Sequence, residues 1–314
     1  MKQFDALQDL DRFERLVETV DPDGRLLNAW KLEGGVSAQV TGLEVAQPGG
    51  WSSKLIVRRY GDVDVAKNPN IAVDEFNLLR TLSNAGLPVP GPLAFDQSNE
   101  IFPGPLIVVE YIEGATEFEP ANLSDHLSQV AANLAQIHAV DHVKAGLSFL
   151  SPEPDPIDAL NTHCLSSAID PAVRERIVRA VTTVGPLSLT NRHGLLHGDF
   201  WSGNLLWRDG LLMGIIDWED AAIGDPLADL AKCRLEFQWS FGAGAAAELT
   251  ERYLANSPAV DAIDLPKWDL SMASRMAVKF PRWGLSEPEA TAMQESIITF
   301  MDRALSTLHG RSPA

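Results

Sequence analysis

At 314 residues, with 45% hydrophobic and 22% charged positions, the chain has the composition of a folded protein with room for one large domain or two packed lobes, which excludes a disordered or low-complexity polymer. Its formal charge of −18 repels phosphate backbones and anionic headgroups, so no nucleic-acid partner and no membrane partner is expected. Cys164 and Cys233 are too few for a disulfide scaffold, and the N-terminal stretch alternates charges where a signal peptide needs an apolar run, so a cytoplasmic setting is expected.

Phe4, Leu7, Leu10, Phe13, Leu16 and Val17 recur at three- and four-residue steps, which predicts an amphipathic helix over 4–18 packed on a first lobe. From 26 to 112 the pattern changes to short β-like runs, LEVA, KLIVRRY and PLIVVEYI, separated by Gly and Pro. A single helix interrupts them, with Ile71, Phe76, Leu79 and Leu82 on one face and Gly86, Pro88 and Pro90 marking its end. This reads as a small sheet carrying one helix. Leu123, Leu127, Val130, Leu134 and Ile137 begin a mostly helical region, in which SPEPDP at 151–156 reads as a loop. Strand-like runs return between 194 and 217, with Asp209-Gly210 as a turn, and the chain is again helical from Asp225 to about Leu308.

The chemistry concentrates between His193 and Ala231. His197-Gly198-Asp199, followed by Asn204, has the spacing of a kinase catalytic loop, and an apolar strand then delivers Asp217. Phosphoryl transfer needs a carboxylate to orient the acceptor hydroxyl and take its proton, and hard oxygen ligands for Mg2+ on the nucleotide phosphates. Asp199, Asn204 and Asp217 supply both. The competing pattern is a zinc site of His193, His197 and Asp199. An extended strand sets the two imidazoles about 13 Å apart, which counts against it.

HGDFWSGNLL together with IIDWEDAAIGDPLADLA resembles the signature of the aminoglycoside phosphotransferase and choline kinase superfamily. The resemblance implies an α+β, bilobal protein-kinase-like fold. Residues 1–110 would form a small β-rich lobe covering the nucleotide, and 111–314 a larger, mainly helical lobe for catalysis and acceptor binding. It implies Asp199 as the catalytic base, Asn204 and Asp217 as Mg2+ ligands, and ATP or GTP as co-substrate. LEGGVSAQVTGLEV is similar to the family's nucleotide-covering loop, through Gly34, Gly35 and Ser37; taken alone, a hairpin turn explains it better. Arg58 takes the place of the phosphate-contacting kinase lysine, with Glu75 as its helix partner and Arg59 pointing the other way; two solvated strand-edge arginines are the plain alternative. LIVVEYIEGAT resembles the hinge that offers backbone groups to the purine edge, at Glu110, Tyr111 and Ile112.

Around these, His197, Asp225 and Asp229 read as structural supports and Trp218 as core. Gly198, where regulated kinases carry arginine, and the short span from Asp217 to Asp225 favour a small-molecule acceptor over a protein. Trp268, Phe280 and Trp283, with Asp269 and Arg282, read first as core and second as a cation–π box for an amine. Ten basic and 16 acidic residues lie in 1–110, against 15 and 27 after it, a C-terminal acidic excess that suits a cationic acceptor and suits solubility alone still better. Acceptor identity and oligomeric state stay open. So does a second reading, a nucleotide-binding pseudokinase or regulatory module.

Overall fold

The structure is a computed structural model that describes residues 6–32, 38–164, 169–188 and 191–310. The chain divides into two compact units. One comprises the residues up to Gly114 together with Met213–Glu219, and the other holds Ala115–Leu212 and the chain from Asp220 onward.

The first unit is built on a five-stranded antiparallel sheet. In chain order it has α1 (Ala6–Val20), β1 (Arg25–Lys31), β2 (Ala38–Ala46), β3 (Ser52–Tyr60), α2 (Asp62–Lys67), α3 (Ile71–Asn84), β4 (Pro92–Asp96) and β5 (Leu106–Glu110). The strands lie in the order β1-β2-β3-β5-β4. The strand period of two sorts β3 into two faces. Leu55 and Val57 join Leu43, Val45, Phe13 and Leu16 in one buried cluster, so α1 covers this face of the sheet. Burying each such side chain is worth about 1.5–3 kcal/mol. Arg59 shares that face, where its guanidinium lies 3.5 Å from Asp9 and 4.6 Å from the Phe102 ring centre. Arg58 and Tyr60 point to the opposite face. α3 ends where predicted, because Gly86 takes φ +80°, a left-handed conformation that glycine adopts without strain.

The sheet carries two helices besides α1 instead of one. α2 is six residues long, too short to show periodicity, and is stabilised by Asp62 and Asp64 in its first turn and Lys67 in its last.

The second unit is mostly helical, with α4 (Leu123–His138), α5 (Pro156–Cys164), α6 (Pro171–Thr183), α7 (Leu227–Phe241), α8 (Ala243–Asn256), α9 (Leu265–Lys279) and α10 (Glu287–Gly310). Its short strands are β6 (Ser151–Pro152), β7 (Gly194–Leu196), β8 (Leu205–Arg208) and β10 (Ala222–Gly224). β9 (Leu211–Ile215) pairs with β8 through the Asp209-Gly210 turn, both residues having positive φ. The stretch read as a loop from 151 contains β6, which pairs parallel with β10, while β7 pairs antiparallel on its other side. These strands are two or three residues long and fall below what alternation can reveal. No described helix is long and apolar enough to cross a membrane.

His126 on α4 is 3% exposed and stacks on Trp207 at a centroid distance of 4.1 Å. Burial pushes its pKa down to about 4. An unfolded histidine takes a proton near pH 6.5 and the folded one only near 4, so the unfolded state binds more protons between these values. This contribution to stability is complete above the unfolded pKa and is lost as the pH falls through the window, by up to about 3 kcal/mol. Urea unfolding from about pH 7 to about pH 4.5 should show wild type losing more stability than His126→Phe. Parallel pH dependences would remove His126 from this role.

Candidate active site

In the second unit, β7 leads into the His197-Gly198-Asp199 turn. Gly198 has φ +82°, and a Cβ there would lie 2.1 Å from the Asp220 carbonyl oxygen, so the backbone path admits only glycine. Asp229, in the first turn of α7, fastens the loop turn from behind. Its carboxylate accepts the N–H of His197 at 2.6 Å and of Gly198 at 2.9 Å, and lies 3.3 Å from His138 Nε2. Burial pushes the Asp229 carboxyl up, but the His138 contact and the backbone N–H of His197 outweigh it, and the pKa ends below the ordinary value. Asp225 accepts the Leu227 N–H at 2.9 Å just before α7, whose N-cap is Pro226.

The Asp199 carboxylate is held at both oxygens. Asn204, in a short 3₁₀ turn, donates its Nδ2 to Asp199 Oδ2 at 3.1 Å and to the Asp199 carbonyl at 2.8 Å. Lys232 Nζ lies 3.1 Å from Asp199 Oδ1 and 3.0 Å from Glu236 Oε1. Burial alone would raise the Asp199 pKa, but Lys232, by charge and hydrogen bond, with Lys279 adding charge, holds it below the usual carboxylate range. Burial disfavours the Lys232 ammonium, yet Glu236 and Asp199 keep its pKa above the ordinary lysine value. The Asp199 N–H donates to His197 Nδ1 at 3.2 Å. His197 is buried and His193 exposed. Among the described residues no group of three His, Cys, Asp or Glu is placed to hold a metal ion.

In the first unit, Arg58 is surrounded by carboxylates. It reaches Glu75 on α3 at 3.4 Å, Asp217 at 2.6 Å, and Glu219 through a short ion pair. Glu75 also accepts the Tyr60 hydroxyl at 2.7 Å. With its side chain 12% exposed, Arg58 is no solvated strand-edge residue. Asp217 has φ +67°, a left-handed conformation that non-glycine residues adopt at a cost of about 1–3 kcal/mol. Trp218, buried beside it, donates its Nε1 to the Ile215 carbonyl at 3.0 Å and pins the segment.

Of the three hinge positions, two have engaged amides: Glu110 donates its N–H to Gly91 at 2.9 Å and Tyr111 to Lys54 at 3.3 Å. The Ile112 side chain packs on Gly214, where a Cβ would lie 2.4 Å from Ile112 Cδ1. Gly34, Gly35 and Ser37 lie outside the described residues. The C-terminal aromatic set is dispersed in environment: Trp268 is 2% exposed in the core, Trp283 is 42% exposed, and Asp269 is buried against Arg234 at 3.0 Å.

The sequence reading missed Lys232, Glu236 and Glu219. For the first two a signal existed: Asp229, Lys232 and Glu236 are spaced three and four apart on a helix that is otherwise largely apolar, which puts three charges on one buried face. Glu219 carried no such signal.

One unit holds a carboxylate on a fixed turn, and the other clusters an arginine with three carboxylates. The chain belongs to the phosphotransferase enzyme family, whose model matches residues 31–264. Among solved structures it is similar to the macrolide 2'-phosphotransferase of Brachybacterium faecium, with a TM-score of 0.61 at 20% identity, covering 92% of this chain and 98% of that one. It is also similar to an amicoumacin kinase in complex with AMP-PNP, Ca2+ and Ami, with a TM-score of 0.59 at 15% identity, covering 95% of each chain. At such identities these likenesses establish the fold. A curated relative, acyl-CoA dehydrogenase family member 10 of Mus musculus, is 26% identical over 195 residues, 57% of this chain and 18% of that protein. The chain thus matches about a fifth of that relative's length.

Proposed function

We propose that this chain transfers the terminal phosphate of ATP or GTP to a hydroxyl of a small molecule, with Asp199 as the base. The observation that carries the reading is the Asp199 carboxylate, fixed at one oxygen by Asn204 and at the other by Lys232 on a turn that admits only glycine at 198. In this reading the acceptor O–H hydrogen-bonds to Asp199 and gives up its proton there as the oxygen attacks phosphorus in line. Family membership and the kinase-like relatives support phosphoryl transfer, and the AMP-PNP of the amicoumacin kinase complex supports a nucleoside triphosphate donor.

By donor type, Asn204 and Asp217 each suit a hard divalent cation. Asn204 donates through Nδ2, which leaves its Oδ1 as an oxygen ligand, and Asp217 adds a carboxylate. Asn204 and Asp217 would hold the ion, which would supply positive charge to offset that of the phosphates. On this reading the lobe of residues 1–110 covers the nucleotide, through Gly34, Gly35 and Ser37, and 111–314 receives the acceptor. Ile112 donates its N–H to the purine edge beside Glu110 and Tyr111. Arg58 and Glu75 serve the phosphates, which requires Arg58 to exchange a carboxylate partner for a phosphate oxygen.

The acceptor candidates are an amine sugar, an amino alcohol, homoserine, a sugar or a hydroxyacyl metabolite. The test is a panel of such hydroxyl compounds with ATP or GTP, read as nucleoside diphosphate release with and without Mg2+. Mg2+-dependent, acceptor-dependent release is expected, and Asp217→Ala should weaken Mg2+-dependent nucleotide binding. Nucleotide binding with no transfer across the panel would favour the pseudokinase reading. An Asp217→Ala titration that overlays wild type would remove Asp217 from the metal.

A further inference from the structure

Lys232 and Glu236 lie on α7 among residues that are buried and mostly apolar, such as Leu230, Leu235 and Phe237. Glu236 is 3% exposed and the Lys232 side chain 14%, so both charges are largely removed from water. An ion pair this deep is a poor device for stability. Desolvating the two charges offsets most or all of their attraction, and apolar side chains of similar volume would often hold the fold as well or better. The pair ends on one group, the Asp199 carboxylate, 3.1 Å from Lys232 Nζ.

We infer that Lys232, set in place by Glu236, is the positioning residue of the catalytic carboxylate. It fixes Oδ1 of Asp199 as Asn204 fixes Oδ2, so the plane of the carboxylate is determined before an acceptor arrives. The inference rests on Asp199 being the base. A carboxylate tied at one oxygen can swivel about its terminal torsion, a broad and soft one. Tied at both, it presents a fixed lone-pair direction to the acceptor hydroxyl, and misplacement of about 1 Å can cost about 10²-fold in rate. A lysine suits the task because one compact ammonium with three donors can serve two carboxylates at once. The i,i+4 spacing puts Glu236 on the same helix face, and Asp229, three residues before Lys232, holds the backbone of the same turn. One face of α7 therefore sets both the loop and its side chain.

The test is the double variant Lys232→Met with Glu236→Met, which removes both ions and leaves neither uncompensated. It is read by nucleoside diphosphate release from Mg·ATP, with the best panel acceptor and with water alone. The double variant should unfold at or above the wild-type urea midpoint, keep its nucleotide KM within about twofold, and lose about tenfold or more in kcat. Lys232→Arg should recover part of that loss. On an Asp199→Ala background the same two changes should leave the residual turnover unchanged, because Lys232 acts through Asp199. A folded double variant with wild-type kcat overturns the inference, as does an equal loss on the Asp199→Ala background. If the methionine pair does not fold, Lys232→Gln with Glu236→Gln is judged by the same criteria. Near-normal turnover in Asp199→Ala alone would sink the base reading. An inert Asp199→Ala beside a fully active double variant would sink only the role of Lys232.

Discussion

Asp199→Asn should lower turnover by about 10² or more while nucleotide affinity stays within about twofold of wild type. The amide has the shape of the carboxylate but neither its charge nor its proton affinity. It also meets two donors, Asn204 Nδ2 at 3.1 Å from one oxygen and Lys232 Nζ at 3.1 Å from the other. An amide has one oxygen to offer, so its NH2 must face one of those donors, and the side chain should rotate or lose a partner. Asp199→Ala removes that conflict and serves as the control for it. Both variants should be inactive to a similar degree if the missing group is the base. Single-turnover transfer with the best acceptor measures this directly, and near-wild-type turnover in either variant would take Asp199 out of the chemistry.

The parts of the molecule that were legible in the sequence are those encoded locally. The HGD turn, the Asp209-Gly210 hairpin and the Gly86 stop all rest on backbone positions where one residue type declares the geometry. Arg58 and Arg59 diverge because adjacent strand residues face opposite sides, which the run KLIVRRY already states. What was not legible depends on partners far apart in sequence. Arg58 and Asp217 are 159 positions apart, and β6 meets β10 only because the chain returns after seventy residues. α2 was hidden by its length. The chain total of −18 is silent on the site, because the charge around Asp199 is set locally by Lys232 and Glu236.

Asp229→Ala should destabilise the second unit by about 3–5 kcal/mol and reduce turnover with it. The carboxylate is 1% exposed and is the acceptor for two consecutive backbone N–H groups, those of His197 and Gly198. Each buried N–H left without an acceptor costs about 1–3 kcal/mol, and alanine supplies no acceptor of its own. The turn cannot relax into another path. Gly198 sits at φ +82° with the Asp220 carbonyl where a Cβ would be, so the backbone is confined from the other side. His138 loses a partner as well, though its Nδ1, 2.6 Å from the Tyr253 hydroxyl, keeps the ring oriented. Asp229→Asn should fall between wild type and alanine, because one amide oxygen can accept one N–H while its own NH2 opposes the second. The urea midpoint should drop with the denaturant slope unchanged, since the native surface is the same. Turnover measured well below the midpoint should still be reduced, because the displaced turn carries Asp199. A loss of less than about 1 kcal/mol would mean that the turn keeps its geometry without this carboxylate, and the support for Asp199 would then have to come from Asn204 and Lys232 alone.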